Sequence, residues 1–352
     1  MDTDLDYNME FDYGDYNFSN YSTENVTTEE EHSLKPQSTC FTDSTCISLT
    51  VINSVIFVLG VVGNGIVIWI AGLKMKRTVN TTWYLSLAVS DFLVCAIHPF
   101  NIAHLVMQDW VFGLFLCKLT SFMMFVNMFS SIFLLVFISV DRCIAVAFPV
   151  WAQNHRTVRT ASMVVVLAWF FSVILSVPSL IFRDVRTHMG KTLCFNNYMS
   201  DPHSHTAIAY SRFVFGFIVP FAIIIVCYSV IGLRLMSSSI RRSPKPLKVM
   251  TALIVTFFVC WLPYHVFILL ELNLSIHRRH LEHGLQYGTV LALANSCLNP
   301  VLYVFMGNDF RKKFRSSLLS KMENAMGEDG RVSRSSYLSR STSMDGRAST
   351  HI

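Results

Sequence analysis

Apolar residues are gathered along the chain into seven long runs separated by short polar stretches, near Ile47–Leu73, Thr82–Leu105, Phe115–Val146, Ala161–Phe182, Ala207–Leu235, Leu247–Leu272 and Leu285–Met306. A hydrocarbon core of about 30 Å takes about 20 helical residues to cross, and each run supplies them. Lipid offers no partner to a backbone N–H or C=O, so a spanning run must satisfy its own backbone as a helix. The pattern therefore predicts an all-α membrane protein, a seven-transmembrane helix bundle occupying residues 46–306. Beyond it, Phe310, Phe314, Leu318 and Leu319 recur at helical spacing among basic residues. That spacing predicts a short amphipathic eighth helix, residues 307–320, lying on the membrane surface. The flanks are an acidic segment, residues 1–45, and a Ser-, Thr- and Arg-rich tail, residues 321–352, with the composition of a disordered cytoplasmic segment.

Composition agrees: 52% of the 352 residues are hydrophobic and 14% charged, against roughly 25% charged in soluble domains. The net charge of +5 hides a strong sorting, because Met1 to Glu31 is rich in acids and holds no Lys or Arg. Basic groups fall between the runs, at Lys74, Lys76 and Arg77, at His155, Arg156 and Arg159, at Arg241, Arg242, Lys245 and Lys248, and again at Arg311, Lys312, Lys313 and Arg315. All lie on one side, which the positive-inside rule makes cytoplasmic, with the N-terminus extracellular. The acidic start lacks the features of a cleavable signal peptide. Three sequons at Asn17, Asn20 and Asn25 fall on the outer side, where glycosylation occurs, whereas Asn80-Thr-Thr82 faces inward and stays bare. Most of the nine cysteines lie within apolar runs and read as buried thiols.

A charged side chain in mid-membrane costs about 2.5–3.5 kcal/mol on insertion scales and points to function. Asp91 is the clearest, with Asn64, Asn127, Ser131, Asn295, Ser296 and Asn299 on other runs as oxygen partners. Two readings are open: a hydrated pocket for a monovalent cation such as sodium, and a plain interhelical hydrogen-bond network. Asp141-Arg142 ends the third run, and Pro263 and Pro300 interrupt the sixth and seventh, where lost backbone hydrogen bonds create kinks suited to movement.

In order along the chain stand Gly63-Asn64-Gly65, Leu87-Ala-Val-Ser-Asp91, Asp141-Arg142-Cys143, Trp169, Cys260-Trp261-Leu-Pro263 and Asn299-Pro300-Val-Leu-Tyr303. The set resembles the rhodopsin-like G-protein-coupled receptors from Leu49 to Leu319. Pro149-Val-Trp-Ala-Gln-Asn-His-Arg156, Ser179-Leu-Ile-Phe-Arg-Asp184, Gly190-Lys-Thr-Leu-Cys-Phe-Asn-Asn197 and Ala292 to Pro300 are similar to their chemoattractant group, which includes the receptors for chemerin, formyl peptides and anaphylatoxins. The resemblance implies that Asp141 and Arg142 form the G-protein switch, with Trp261, Pro263, Asn299 and Pro300 coupling pocket to kink, while Tyr228 and Tyr303 close around the active state. It also implies sodium at Asp91, Asn127, Ser131, Asn295 and Asn299, and a disulfide from Cys117 to Cys194. The family tripeptide ends in Tyr; here it ends in Cys143, which is not expected to abolish coupling. Expected partners are an extracellular peptide or protein, chemerin foremost, an inhibitory heterotrimeric G protein, arrestin and membrane lipid. The expected setting is the plasma membrane.

On the ligand side, Arg212 in the outer half of the fifth run suits a carboxylate through a forked clamp, or snorkels to headgroups. Arg183, Lys191 and Glu271 add polar contacts, and Phe100, Met123 and Phe267 apolar walls. Cys40 and Cys46 leave a mutual bridge, a bridge elsewhere and free thiols open. Tyr7, Tyr13 and Tyr16 among acids are sulfation candidates that steer a basic ligand. Ser333, Ser335, Ser336, Ser339, Ser341, Thr342 and Ser343 are phosphorylation candidates for arrestin recruitment. The outer-loop histidines His277, His280 and His283 read as solvated rather than as metal ligands. No constellation supports catalysis or nucleic-acid binding, and no cofactor other than sodium is expected. A transporter or channel would carry internal repeats or several charges along a path. A non-signalling scavenger is disfavoured by the intact Asp141-Arg142. Formyl peptide, anaphylatoxin and lipid mediator remain alternative ligands.

Overall fold

The computed structural model describes residue 40 and residues 43–188, 190–198, 202–237, 245–272, 278–306 and 315–316. Among the described residues, six helical segments are long and apolar enough to cross a membrane: Ser44–Lys74, Val79–Met107, Gly113–Ala147, Val158–Phe182, His203–Met236 and Lys248–Glu271. A seventh helix, Arg278–Met306, packs along the sixth and the first. We refer to these as spans one to seven. Span seven begins well before the apolar run that marks it in sequence, because Arg278 to His283 is polar yet helical. Of residues 307–320, expected from sequence to form an eighth helix, only 315 and 316 are described, and both are helical.

Side chains fix the helix ends. Asp43 caps span one by accepting from the amides of Thr45 and Cys46 at 3.0 and 3.4 Å. Span two opens on a reciprocal box in which Thr81 N–H donates to Thr78 Oγ1 at 3.2 Å and Thr78 N–H to Thr81 Oγ1 at 2.8 Å. Such caps satisfy amides that have no partner within the helix. Gln108 ends span two in the left-handed region, and Gly113 at φ 74° starts span three, where a side chain would be strained.

Span three is the most enclosed. Phe125, Met128, Phe129, Ile132 and Leu135 on it meet Phe257, Trp261 and Tyr264 of span six in one apolar core. The faces of spans one, four and five turned outward carry Val58, Val62, Val166, Phe170, Ile225 and Val226, all exposed. In water such a belt would aggregate; in lipid it is the solvent face. Prolines lie inside spans two, six and seven at Pro99, Pro263 and Pro300. Span five passes through a π-helical turn, Val214–Ile218, just before Pro220. Spans six and seven approach closely at Gly288, where a Cβ would lie 3.1 Å from the Tyr264 backbone.

Between spans four and five runs a hairpin, β1 (Arg183–His188) antiparallel to β2 (Lys191–Asn196). It is bonded to the bundle by Cys117–Cys194. The loop before span three is tied to it as well: Thr192 N–H donates to Asp109 Oδ1 at 2.7 Å and Trp110 N–H to Thr192 O at 2.7 Å. Trp110 is buried with Phe100 and Phe112 around the bridge. A second bridge, Cys40–Cys46, closes a short loop at the start of span one, so of the three pairings open in sequence the mutual one is formed.

Candidate functional site

Functional side chains fall in three layers along the bundle. At the disulfide end, Arg212 on span five, Arg183 at the foot of β1 and Glu271 at the end of span six are all buried. Arg212 Nη2 donates to Ser179 Oγ at 3.0 Å, and its guanidinium carbon stands 3.5 Å from the centroid of the Phe125 ring. Its Nε, also buried, has no hydrogen-bond partner. Tyr198, on the loop leading to span five, stacks on His205 at 4.7 Å. Burial pushes the Tyr198 phenol up, while the charges of Arg212 and Arg183 pull it down and that of Glu271 raises it. These groups therefore share one field beneath the hairpin.

The apolar residues expected there divide. Phe100 packs edge-on against Phe112, 5.1 Å between centroids, in the cluster around the bridge. The Phe267 ring fills the space left by Gly284 on span seven. Met123 is half-buried on span three, two residues before Phe125. Sequence reasoning missed Ser179, Phe125, Tyr198 and His265. His265 lies one turn above Trp261, buried, its ring 5.7 Å from Phe213 and 5.5 Å from Phe217. A histidine four residues after Trp261, on the same helical face, was the available signal.

The middle layer centres on Asp91, fully buried. Its two oxygens accept from Asn127 Nδ2 at 2.9 Å and Asn299 Nδ2 at 2.8 Å. Asn127 also donates to Ser90 Oγ at 3.1 Å and accepts from Ser296 Oγ at 3.1 Å. Asn64 Nδ2 reaches the Ser296 carbonyl at 2.9 Å. Spans one, two, three and seven are thereby joined through polar atoms. Ser131 Oγ and Asn295 Oδ1 are buried without a hydrogen-bond partner. Unmatched oxygens inside a protein carry a desolvation cost of about 1–3 kcal/mol each. An anionic carboxylate with unmatched neutral oxygens on the adjoining spans is a donor set that fits a hard monovalent cation. Trp261 on span six is buried, flanked by Phe257 and Tyr264 at 6.0 and 5.8 Å.

At the opposite end, Arg142 pairs with Asp141 at 3.2 Å. Arg156 grips the same carboxylate through Nε at 2.8 Å and Nη2 at 3.1 Å. Both arginines also donate to Asn80 Oδ1. Asn80 therefore faces this end of the bundle. Thr251 on span six donates to the Tyr228 hydroxyl at 3.4 Å, and Tyr303 packs on Tyr84, 5.0 Å between centroids. Tyr228 and Tyr303 are thus engaged with different neighbours here. Asn17, Asn20, Asn25, Tyr7, Tyr13, Tyr16 and the tail positions Ser333, Ser335, Ser336, Ser339, Ser341, Thr342 and Ser343 lie outside the described residues.

Residues 63–303 match the model of the seven-transmembrane receptor (rhodopsin) family. The chain belongs to that family. The receptor is similar to chemerin-like receptor 1 of Homo sapiens, 43% identical over 353 residues that cover 95% of this chain and 92% of the relative. It is also similar to formyl peptide receptor 2 of Mus musculus, 44% identical over 84% of this chain and 90% of the relative. The C3a anaphylatoxin chemotactic receptor of Oncorhynchus mykiss is 40% identical over 97% of each chain. The receptor is accordingly a multi-pass membrane protein of the chemoattractant group, a signalling protein that works through an extracellular ligand and a G protein and not an enzyme.

Proposed function

We propose that this receptor answers a chemoattractant peptide or protein, chemerin before others, whose terminal carboxylate is held by Arg212. The observation that carries the reading is the Arg212 guanidinium, buried against Phe125 and Ser179 with Nε unengaged. A guanidinium fork binds a carboxylate through two parallel hydrogen bonds, and the aromatic face beneath holds the fork in place. Arg183 and Glu271 add a second cation and an anion for the ligand's polar backbone. Relatives named for chemerin, formyl peptide and C3a support the ligand class.

In this reading the disulfide end and the N-terminus face outward from the plasma membrane, and the Arg142 end and tail face the cytoplasm. Glycans on Asn17, Asn20 and Asn25 and sulfate on Tyr7, Tyr13 and Tyr16 belong to the outer acidic segment, which draws in a basic ligand. Ligand shifts the population toward an arrangement in which spans five and six part at the Arg142 end. Arg142 then leaves Asp141 for a heterotrimeric G protein of the inhibitory type, in leukocyte chemotaxis and inflammation. Phosphate on tail residues such as Ser335 and Ser341 recruits arrestin. Asp91, Asn127, Ser131, Asn295 and Asn299 would hold a sodium ion, which offsets the Asp91 charge and favours the resting arrangement. Membrane lipid covers the exposed apolar belt.

The test pairs a chemerin C-terminal peptide with its amidated form. Arg212→Ala weakens the free acid by about tenfold or more and the amide much less, as loss of one charge-assisted pair requires. Equal losses contradict the clamp. The rings of Phe125 and Phe213 near Arg212 also suit a fatty acid, so lipid agonists belong in the same assay.

A further inference from the structure

We infer that Arg156 is a positioning residue of the activation switch: a second guanidinium that competes with Arg142 in the resting state and keeps Asp141 paired after Arg142 has left. The inference rests on the reading of Arg142 as the G-protein contact.

The geometry is unequal. Arg156 closes a fork on Asp141, Nε to Oδ1 at 2.8 Å and Nη2 to Oδ2 at 3.1 Å. The closest approach of Arg142 to the same carboxylate is Nη2 to Oδ2 at 3.2 Å. Both donate Nη2 hydrogens to the single oxygen Asn80 Oδ1, Arg156 at 2.6 Å. Arg142 Nε is buried without a hydrogen-bond partner. Two cations thus share one anion and one amide oxygen, and the fork on the anion belongs to Arg156.

The backbone holds Arg156 in place. It caps the short helix Pro149–His155, its N–H donating to the Ala152 carbonyl at 2.9 Å. Trp151 stacks on His155 at 4.4 Å in the same helix. Arg156 therefore stays with the loop when span six moves, whereas Arg142 can swing from its own helix toward a partner.

Two effects follow, with the same sign. Competition weakens the resting Asp141–Arg142 latch. Once Arg142 departs, Asp141, whose side chain is 12% exposed, would be left an unpaired and nearly buried anion. Removing one member of a buried ion pair is costly because of the charge left behind, and Arg156 removes that cost. Arg156 accordingly favours the active state.

The experiment measures basal and agonist-driven nucleotide exchange in membranes carrying the full-length receptor and its G protein, with ligand binding counted in parallel. Arg156→Gln is expected to lower basal exchange and shift agonist potency to about tenfold higher concentration, with receptor number unchanged. Arg156→Lys, which keeps the charge and loses the fork, falls in between. In an Asp141→Asn background, where no carboxylate remains, Arg156→Gln produces no further shift. A rise in basal exchange, or no change, in Arg156→Gln overturns the inference, as does an equal shift in the Asp141→Asn background. If Arg156→Gln loses its binding sites, Arg156→Lys decides alone: wild-type potency overturns the inference and a partial shift supports it. Arg142→Ala runs as the control. If exchange survives it, the reading of Arg142 has failed; if exchange is lost while Arg156→Gln is silent, only the present inference has.

Discussion

The two ends of the bundle are built from different bonds. At the disulfide end Cys117–Cys194 and Cys40–Cys46 are covalent, and the β1–β2 hairpin is further tied to Asp109 and Trp110. At the Arg142 end the links are hydrogen bonds and ion pairs among Asn80, Asp141, Arg142 and Arg156, with side chains 12–29% exposed where the ion pairs form. At so low an exposure an unpaired Asp141 would be costly, but two arginines share it, so one can leave while the other stays. In the proposed reading one end holds its shape while a ligand enters, and the other exchanges partners. The buried Asp91 layer lies between them and joins four spans.

The largest expected effect comes from cutting the rigid end. Cys117→Ser frees β2 and the aromatic cluster of Trp110, Phe100 and Phe112 from span three. A lost native disulfide costs about 2–5 kcal/mol, so surface ligand binding is expected to fall by more than tenfold. Binding that persists at wild-type affinity would mean the hairpin does not shape the ligand site.

A middle-sized effect belongs to the middle layer. Asp91→Asn keeps the shape and removes the charge, so agonist affinity loses its sensitivity to sodium concentration while binding persists. Undiminished sodium dependence would contradict the proposed sodium site at Asp91. The smallest effect is expected at Cys40→Ser with Cys46→Ser. That bridge closes a loop of sequence separation 6, far shorter than the separation of 77 at Cys117–Cys194, and loop-closure entropy grows with length. Thermal melting of the purified receptor should drop by a few degrees at most, with potency intact. A loss comparable to that of Cys117→Ser would erase the distinction between the two bridges.

What sequence conveys differs along the same axis. The spans are legible because lipid tolerates few patterns, and Asp91 stands out because a charge in mid-membrane needs a reason. Its partners Asn127 and Asn299 were legible for the same cause. Span seven was harder to delimit: Arg278 to His283 carries the polarity of a loop, yet it is helical. The Arg142 end was legible only in part. Asp141 and Arg142 are adjacent, but Arg156 read as one of many inward basic residues and Asn80 as a bare sequon. Their meeting depends on the turn after span three, across sequence separations of 15 and 76. Arg212 was identifiable as a cation in the outer half of an apolar run, whereas Ser179 and Phe125 come from other spans and become visible only in the packed bundle.

In the proposed reading the Arg142 end is the output of the receptor and the ligand site lies apart from it. Nucleotide exchange and ligand binding measured side by side on Arg142→Ala test this most directly. Agonist-driven exchange is expected to be abolished while surface ligand binding remains. Retained exchange would contradict it.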